Sequence, residues 1–227
     1  MSTHLLYLLK VNQFQNFEID DLKRIFSEKY DNELGFGFNN YEFIDSHIYC
    51  TYVYSVNLRI KSFDEDVDMI ISATRKVFYE INFILDLNNS IILVRGSADK
   101  IKRLNNTLSA LSNNKLSIEH IIFDLGDIIR IIRYRSDKFI LNGLIIKNYK
   151  PNESLSGRFA AKIQNQFIVP DLLDIYGVDV SEFTAICTIK DFDIQMRLSR
   201  LGALAVKGHN EGIKTLIQII KDIVKEL

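Results

Sequence analysis

The chain has 227 residues, 47% of them hydrophobic and 25% charged, with a formal net charge of −1, two cysteines, two prolines and no tryptophan. That composition suits a soluble globular protein of one large domain or two small ones. It excludes a disordered tail, a collagen-like fibre and a disulfide-stapled secreted scaffold. Isoleucine is in excess, 33 against 8 alanines with 18 asparagines, a bias that favours strands and matches an AT-rich genome.

The first apolar run, Leu5-Leu6-Tyr7-Leu8-Leu9, meets Lys10 at once. It falls short of the ~7–15 apolar residues of a secretory leader and reads as a first strand. Asp20 to Tyr30 predicts a helix. Gly35-Phe36-Gly37-Phe38 reads as a bulged strand, too aromatic to cradle a phosphate. Tyr52 to Ile60 alternates as a strand should. Asp64 then opens a predicted helix with Val67, Ile70, Ile71, Thr74 and Val77 along one face, its acidic first turn and Arg75-Lys76 end matching the helix dipole. A hairpin follows, from Val77 to Asp86 and from Ser90 to Arg95, turned at Asn88-Asn89, where asparagine tolerates positive φ.

In the second half Ser117 is expected to cap a long helix whose inner face is Ile118, Ile121, Ile122, Leu125, Ile128, Ile129 and Ile132. Its apolar run is broken by Asp124, Asp127 and Arg130, so it cannot cross a membrane, which takes ~18 apolar residues or more. Strands are predicted near Phe139 to Lys147 and Arg158 to Ile163. Pro170 opens a short helix that ends by Gly177. Three more strands, Phe183 to Lys190, Phe192 to Ser199 and Ala203 to Lys207, precede a final helix.

One segment matches another at an offset of 112 residues. Ile91 to Leu108 (IILVRGSADKIKRLNNTL) aligns with Ala203 to Ile220 (ALAVKGHNEGIKTLIQII), pairing Val94 with Val206, Gly96 with Gly208, Ile101 with Ile213 and Leu104 with Leu216. Each reads as strand, glycine turn and amphipathic helix, with Ser97 and Asn210 as caps. The expectation is an α+β protein of two related halves, 1–112 and 113–227, with antiparallel sheet and helices packed on one face. In element order alone, two such halves joined in one curved sheet resemble the saddle-shaped TATA-binding-protein-like folds.

Charge is unevenly spread. Residues 1–94 carry 8 basic and 14 acidic side chains, residues 95–162 carry 13 and 6, and residues 163–227 carry 7 and 9. The basic middle makes nucleic acid a candidate ligand. Its candidate contacts are Arg95, Lys100, Lys102, Arg103, Arg130, Arg133, Tyr134, Arg135, Lys138, Lys147, Lys150 and Arg158, with Lys207 from the second repeat. Arginine forks phosphate, and tyrosine stacks on a base. Against this, Arg130, Arg133 and Arg135 suit the end of a helix dipole without any ligand, and a pI of about 6.4 is low for a dedicated nucleic-acid binder.

Catalytic patterns give little. Asp64, Glu65, Asp66 and Asp68 form a carboxylate run, and Asp191 and Asp193 flank Phe192; either set is the only footing for a metal-dependent nuclease. His4, His47, His120 and His209 stand at no metal-binding spacing, and no phosphate loop or nucleophile elbow occurs. The turns at Arg95-Gly96-Ser97 and Lys207-Gly208-His209 are possible anion sites at helix starts. Cys50 and Cys187 lie in apolar stretches without a CxxC partner and read as buried, reduced thiols. The sequence therefore predicts a cytoplasmic, non-catalytic binding subunit of a larger assembly, without cofactor or metal. Its partners would be other protein subunits and, through residues 95–162, nucleic acid. The alternative is a protein–protein adaptor alone.

Overall fold

The computed structural model describes residues 3–13, 18–64, 69–152 and 155–226. In chain order its elements are β1 (His4–Gln13), α1 (Ile19–Ser27), β2 (Phe36–Ile44), β3 (His47–Asp64), β4 (Met69–Asp86) and β5 (Ile91–Arg95). Then come α2 (Ala98–Leu111), β6 (Leu116–His120), α3 (Leu125–Arg135), β7 (Lys138–Asn152) and β8 (Leu155–Lys162). The chain ends with α4 (Val169–Tyr176), β9 (Val180–Ile189), β10 (Phe192–Ser199), β11 (Ala203–Gly208) and α5 (Asn210–Glu226). The class is α+β, and every pairing whose register is resolved is antiparallel.

Two compact units interleave along the chain. One gathers Met1–Val11, Asn89–Arg95 and Ile118–Leu227; the other holds Asn12–Asn88 and Gly96–Ser117. In the first unit the strands run β5-β1-β11-β10-β9-β7-β8, with β6 on β1. Residues alternate in burial along β9 and β10, sending Phe183, Ala185, Cys187, Ile194, Met196 and Leu198 inward. These pack with Ile128, Ile129 and Ile132 of α3 and with Leu216, Ile220 and Ile223 of α5 in one apolar cluster. A period of two on the strands meets a period of 3.6 on the helices, so one side of the sheet is dry. The turn between β10 and β11 needs Gly202, at φ +81°, since a Cβ there would run into the Leu8 carbonyl.

In the second unit β2, β3 and β4 form a three-stranded meander with α1 and α2. Its core is aromatic. Phe26 of α1 lies 5.3 Å from Phe38 and 5.4 Å from Phe83, and Phe38 lies 5.5 Å from Tyr52. Leu104 and Leu108 of α2 are fully buried.

One predicted helix is a strand, and another is part strand, part helix. Met69–Asp86 is a single strand paired with β3 along its whole length, from His47↔Asp86 to Asp64↔Met69. Ile70, Ile71, Thr74 and Val77 fit a helical stripe by spacing, but they are β-branched and favour the pleated backbone once a partner strand lies alongside. The helix expected from Ser117 is split. Leu116–His120 is strand β6, and α3 begins only after Asp124, whose carboxylate accepts from the Asp127 amide at 3.2 Å. The expected caps also shift: Ser97 precedes α2 but makes no side-chain cap bond, and Asn210 is already helical. His209 takes that place, its imidazole accepting from the Glu211 amide at 3.3 Å. Both β5–α2 and β11–α5 have the strand–turn–helix order read from the sequence.

Candidate docking surface

Within the first unit the basic residues of the middle segment stand on both sides of the sheet. Arg130, Arg133, Tyr134 and Arg135 stand on α3, on the side of the first unit's sheet that carries the helices. Lys138 pairs across from Thr188 and Lys207 from Gln195, positions that alternate with the buried Cys187, Ile194 and Met196 and so occupy the other side of the sheet. Lys147 and Lys150 are exposed on β7, Arg158 on the edge strand β8, and Arg95 at the end of β5. Lys100, Lys102 and Arg103 belong to α2 of the second unit.

Several of these cations already have anions. Arg130 bonds Asp127 and Asp174, each at 2.9 Å, and the Asp174 bond above all holds its guanidinium above its ordinary pKa. Arg135 lies 3.7 Å from Asp222. Tyr134, 90% exposed, has no ring contact among the described aromatic pairs.

The α2 cations meet tyrosines instead. The Arg103 guanidinium sits 4.3 Å from the Tyr54 ring centre, and Tyr54 stacks on Tyr79 at 5.3 Å. Lys100 lies 5.9 Å from the Tyr79 ring and donates to the Glu80 carbonyl at 3.2 Å. Burial pushes the Tyr54 phenol up, and the neighbouring Arg103 charge opposes that shift. Tyr54, Val56, Tyr79, Asp99, Lys102, Arg103 and Asn106 line an open hollow of about 460 Å³. Of the predicted contacts, Lys102 and Arg103 stand together in this hollow beside the Tyr54 and Tyr79 rings.

Beyond that hollow the β3–β4 ribbon continues outward. Opposed residues of an antiparallel pair share a face, so the register gives Val56 with Val77, Leu58 with Arg75 and Ile60 with Ala73 on one side, with Met69 further out along the same face. The other side carries Asn57 with Lys76, Arg59 with Thr74, Lys61 with Ser72 and Phe63 with Ile70. The first face is thus apolar for most of its length, and it is open: Leu58 is 39% exposed, Ile60 41% and Met69 63%. Phe63 and Ile70, near the end of the ribbon on the opposite face, are more than half exposed. Scattered surface hydrophobics are ordinary, but a continuous apolar face on a two-stranded ribbon marks a binding surface. The sequence reading missed this face because it assigned Asp64 to Val77 to a helix; the signal available was the run of β-branched residues opposite an alternating strand.

The remaining candidates are structural in placement. Asp64 ends β3, while Glu65, Asp66 and Asp68 lie outside the described residues. Lys190 and Asp191 form the positive-φ turn between β9 and β10, and Asp193 accepts from the Thr188 hydroxyl at 2.7 Å. No group of three or more His, Cys, Asp or Glu side chains that could hold a metal ion occurs among the described residues. His47 lies 3.3 Å from Asp86, His120 contacts the Leu201 carbonyl at 3.0 Å, and His209 stacks on Phe192 at 4.4 Å. Cys50 and Cys187 are free and buried, and burial pushes both thiols up to about 12. No helix of the described residues is long and apolar enough to cross a membrane.

No family model matches the chain, and no curated protein sequence matches it.

Proposed function

We propose that this chain is a non-catalytic binding subunit of a larger assembly that docks a protein partner through the outer β3–β4 ribbon. One observation carries the reading: an apolar face running through Leu58 and Ile60 to Met69 remains in solvent although its strands are paired throughout. Leaving such side chains exposed forgoes roughly 25 cal/mol for each Å² that burial would return, and association recovers it. A protein surface suits this face better than a phosphate backbone, because aliphatic side chains offer a phosphate neither charge nor hydrogen bond.

A second reading, contact with a polyanion, is favoured by the hollow where Lys102 and Arg103 meet Tyr54 and Tyr79, with Lys100 beside them. In that reading Arg95, Arg130, Arg133, Tyr134, Arg135, Lys138, Lys147, Lys150, Arg158 and Lys207 contribute background charge rather than one platform. Two further parts of the proposal rest on narrower support. Duplication of residues 1–112 and 113–227 rests on the shared order of β5–α2 and β11–α5, and a cytoplasmic location rests on the two unpaired buried thiols.

The test is chemical cross-linking of the tagged chain in its own cells, beside the variant Leu58→Glu. Proteins cross-linked to the parent ribbon and lost with the variant are the expected result. An unchanged set of cross-linked proteins overturns the reading. Salt-sensitive retention of labelled oligonucleotide, abolished by Lys102→Glu with Arg103→Glu, would move the function to the second reading.

A further inference from the structure

The chain closes two of its strand edges and leaves a third open. On β2 the Phe38 amide donates to the Glu28 carbonyl at 2.7 Å, and the Phe36 carbonyl accepts from the Asp31 amide at 3.0 Å. That strand is also bulged between Asn39 and Glu42, with Asn40 at φ +52°, so a neighbouring segment and a kink together blunt its edge. On β7, just where β8 leaves it, the Leu141 amide donates to Gln166 Oε1 and Gln166 Nε2 donates to the Leu141 carbonyl, each at 2.9 Å. There a side-chain amide stands in for a missing strand. Strand β8, the last in the first unit's order, has no such cover among the described residues.

The ladder shows which groups of β8 are open. The Ile163 amide donates to the Asn142 carbonyl at 2.9 Å, and Lys162 pairs with Gly143, Ala161 with Leu144, Ala160 with Ile145 and Phe159 with Ile146. Bonding alternates along an antiparallel strand, so Ala161 and Phe159 bond inward to β7. Ala160 and Lys162, and Arg158 by the same period, turn their amides and carbonyls outward. Side chains alternate too. Phe159 and Ala161 lie opposite the buried Ile146 and Leu144, on the helix side of the sheet, where Phe159 stacks on Tyr149 at 4.5 Å and stays 39% exposed. Arg158, Ala160 and Lys162 stand on the other side, all exposed. From Lys147 to Lys162 the sequence carries four cations, Lys147, Lys150, Arg158 and Lys162, against the single carboxylate of Glu153. No ion pair among the described residues engages any of the four.

We infer that β8 is a strand-addition edge for an extended partner segment in which acidic and apolar residues alternate. The segment's backbone completes the outward bonds of Arg158, Ala160 and Lys162. Its acidic side chains face Arg158 and Lys162, and its apolar side chains face Phe159 and Ala161. In this mode of recognition main-chain bonds supply affinity and alternate side chains supply specificity. Strand β8 belongs to the first unit and the β3–β4 ribbon to the second, and the inference does not depend on the docking reading above.

The probe is a fluorescent peptide of about ten residues, a long strand's length, alternating glutamate and valine, titrated with the full chain and read by anisotropy. Binding should saturate, weaken with salt, and fail for a peptide alternating lysine and valine. Ala160→Pro removes only an outward amide, at a place where an edge strand tolerates proline. Circular dichroism should therefore be unchanged while binding weakens about tenfold or more. Arg158→Glu combined with Lys162→Glu should exchange the preference, so that the lysine–valine peptide binds instead. Hydrogen exchange decides without any variant: bound peptide should slow the Arg158, Ala160 and Lys162 amides and leave Phe159 and Ala161 as they were. Absence of binding, equal binding of both peptides, protection elsewhere, or binding indifferent to Ala160→Pro overturns the inference. So does loss of binding in Leu58→Glu, which would place the peptide on the ribbon. A concentration-dependent dimer abolished by Ala160→Pro would give the edge to a second copy. Oligonucleotide retention lost with the charge reversal but not with Ala160→Pro would give it to nucleic acid, and either result overturns the peptide.

Discussion

The inner and outer halves of the β3–β4 ribbon share their strands and their pairing but differ in what covers them. From His47↔Asp86 to Tyr54↔Tyr79 the ribbon holds Ile48, Cys50, Tyr52, Ile81, Phe83 and Leu85, all buried. From Asn57↔Lys76 outward the same ladder continues, yet its apolar residues stand in solvent. Backbone hydrogen bonds are satisfied equally in both halves, so pairing alone does not explain why the outer half keeps Leu58, Ile60 and Met69. The inner half is held by packing within the fold. The outer half spends apolar side chains that the fold itself does not use, and that difference is the reason to assign binding there.

The sharpest separation of the halves is a cavity. Phe83 is 2% exposed and lies 5.4 Å from Phe26 and 6.5 Å from Phe38. Phe83→Ala removes a whole ring from that cluster, and large-to-small changes of this kind cost about 3–5 kcal/mol. Urea unfolding should show a loss of that size. A loss below about 1 kcal/mol would mean that the inner half is not the packed anchor described here.

A middle-sized effect comes from Tyr52, whose hydroxyl shares a 2.7 Å hydrogen bond with the Thr107 hydroxyl and so ties β3 to α2. Tyr52→Phe keeps the ring and removes that bond, for an expected loss of about 0.5–1.5 kcal/mol. Because the ring contacts with Phe38 at 5.5 Å and Tyr54 at 5.6 Å persist, the near-ultraviolet spectrum should keep its shape while the unfolding midpoint falls. An unchanged midpoint would show that the hydroxyl pair contributes nothing to holding the helix on the ribbon.

These contrasts also show what the sequence could reveal. Strands β7 to β11, helix α4 and the two strand–turn–helix units were readable, because alternation, Pro170 and glycine turns are local signals. The segment Met69–Val77 was not, since Ile70, Ile71, Thr74 and Val77 satisfy a helical spacing and only the partner strand decides between the two. Ser117 misled in the same way: the isoleucines from Ile118 to Ile132 read as one stripe, whereas Asp124 interrupts them as the cap of α3. The candidate surface was harder still. Arg130, Arg133 and Arg135 form the densest basic cluster in the sequence, and nothing local says that Asp174 reaches Arg130 or that Lys138 and Lys207 rise from the opposite side of the sheet. Likewise, exposure of Leu58 and Ile60 depends on what fails to pack against them, which no window of sequence records.

The smallest effect is the most informative about the outer half. Ile60 is 41% exposed and stands opposite Ala73, so Ile60→Ala deletes methyl groups that touch little within the chain. Measured where the protein is dilute, global stability should change by no more than about 0.5 kcal/mol, against the several kcal/mol lost at Phe83. The strand preference of isoleucine acts locally, so its loss should appear as fraying rather than global unfolding. Hydrogen exchange should therefore be faster at the ladder amides from Leu58 to Phe63 in the variant and unchanged at Ile48, Cys50 and Tyr52. If Ile60→Ala instead accelerates exchange in the inner half, the two halves form one cooperative unit. The outer apolar face would then be part of the fold's own stability, and its assignment to a partner would lose its ground.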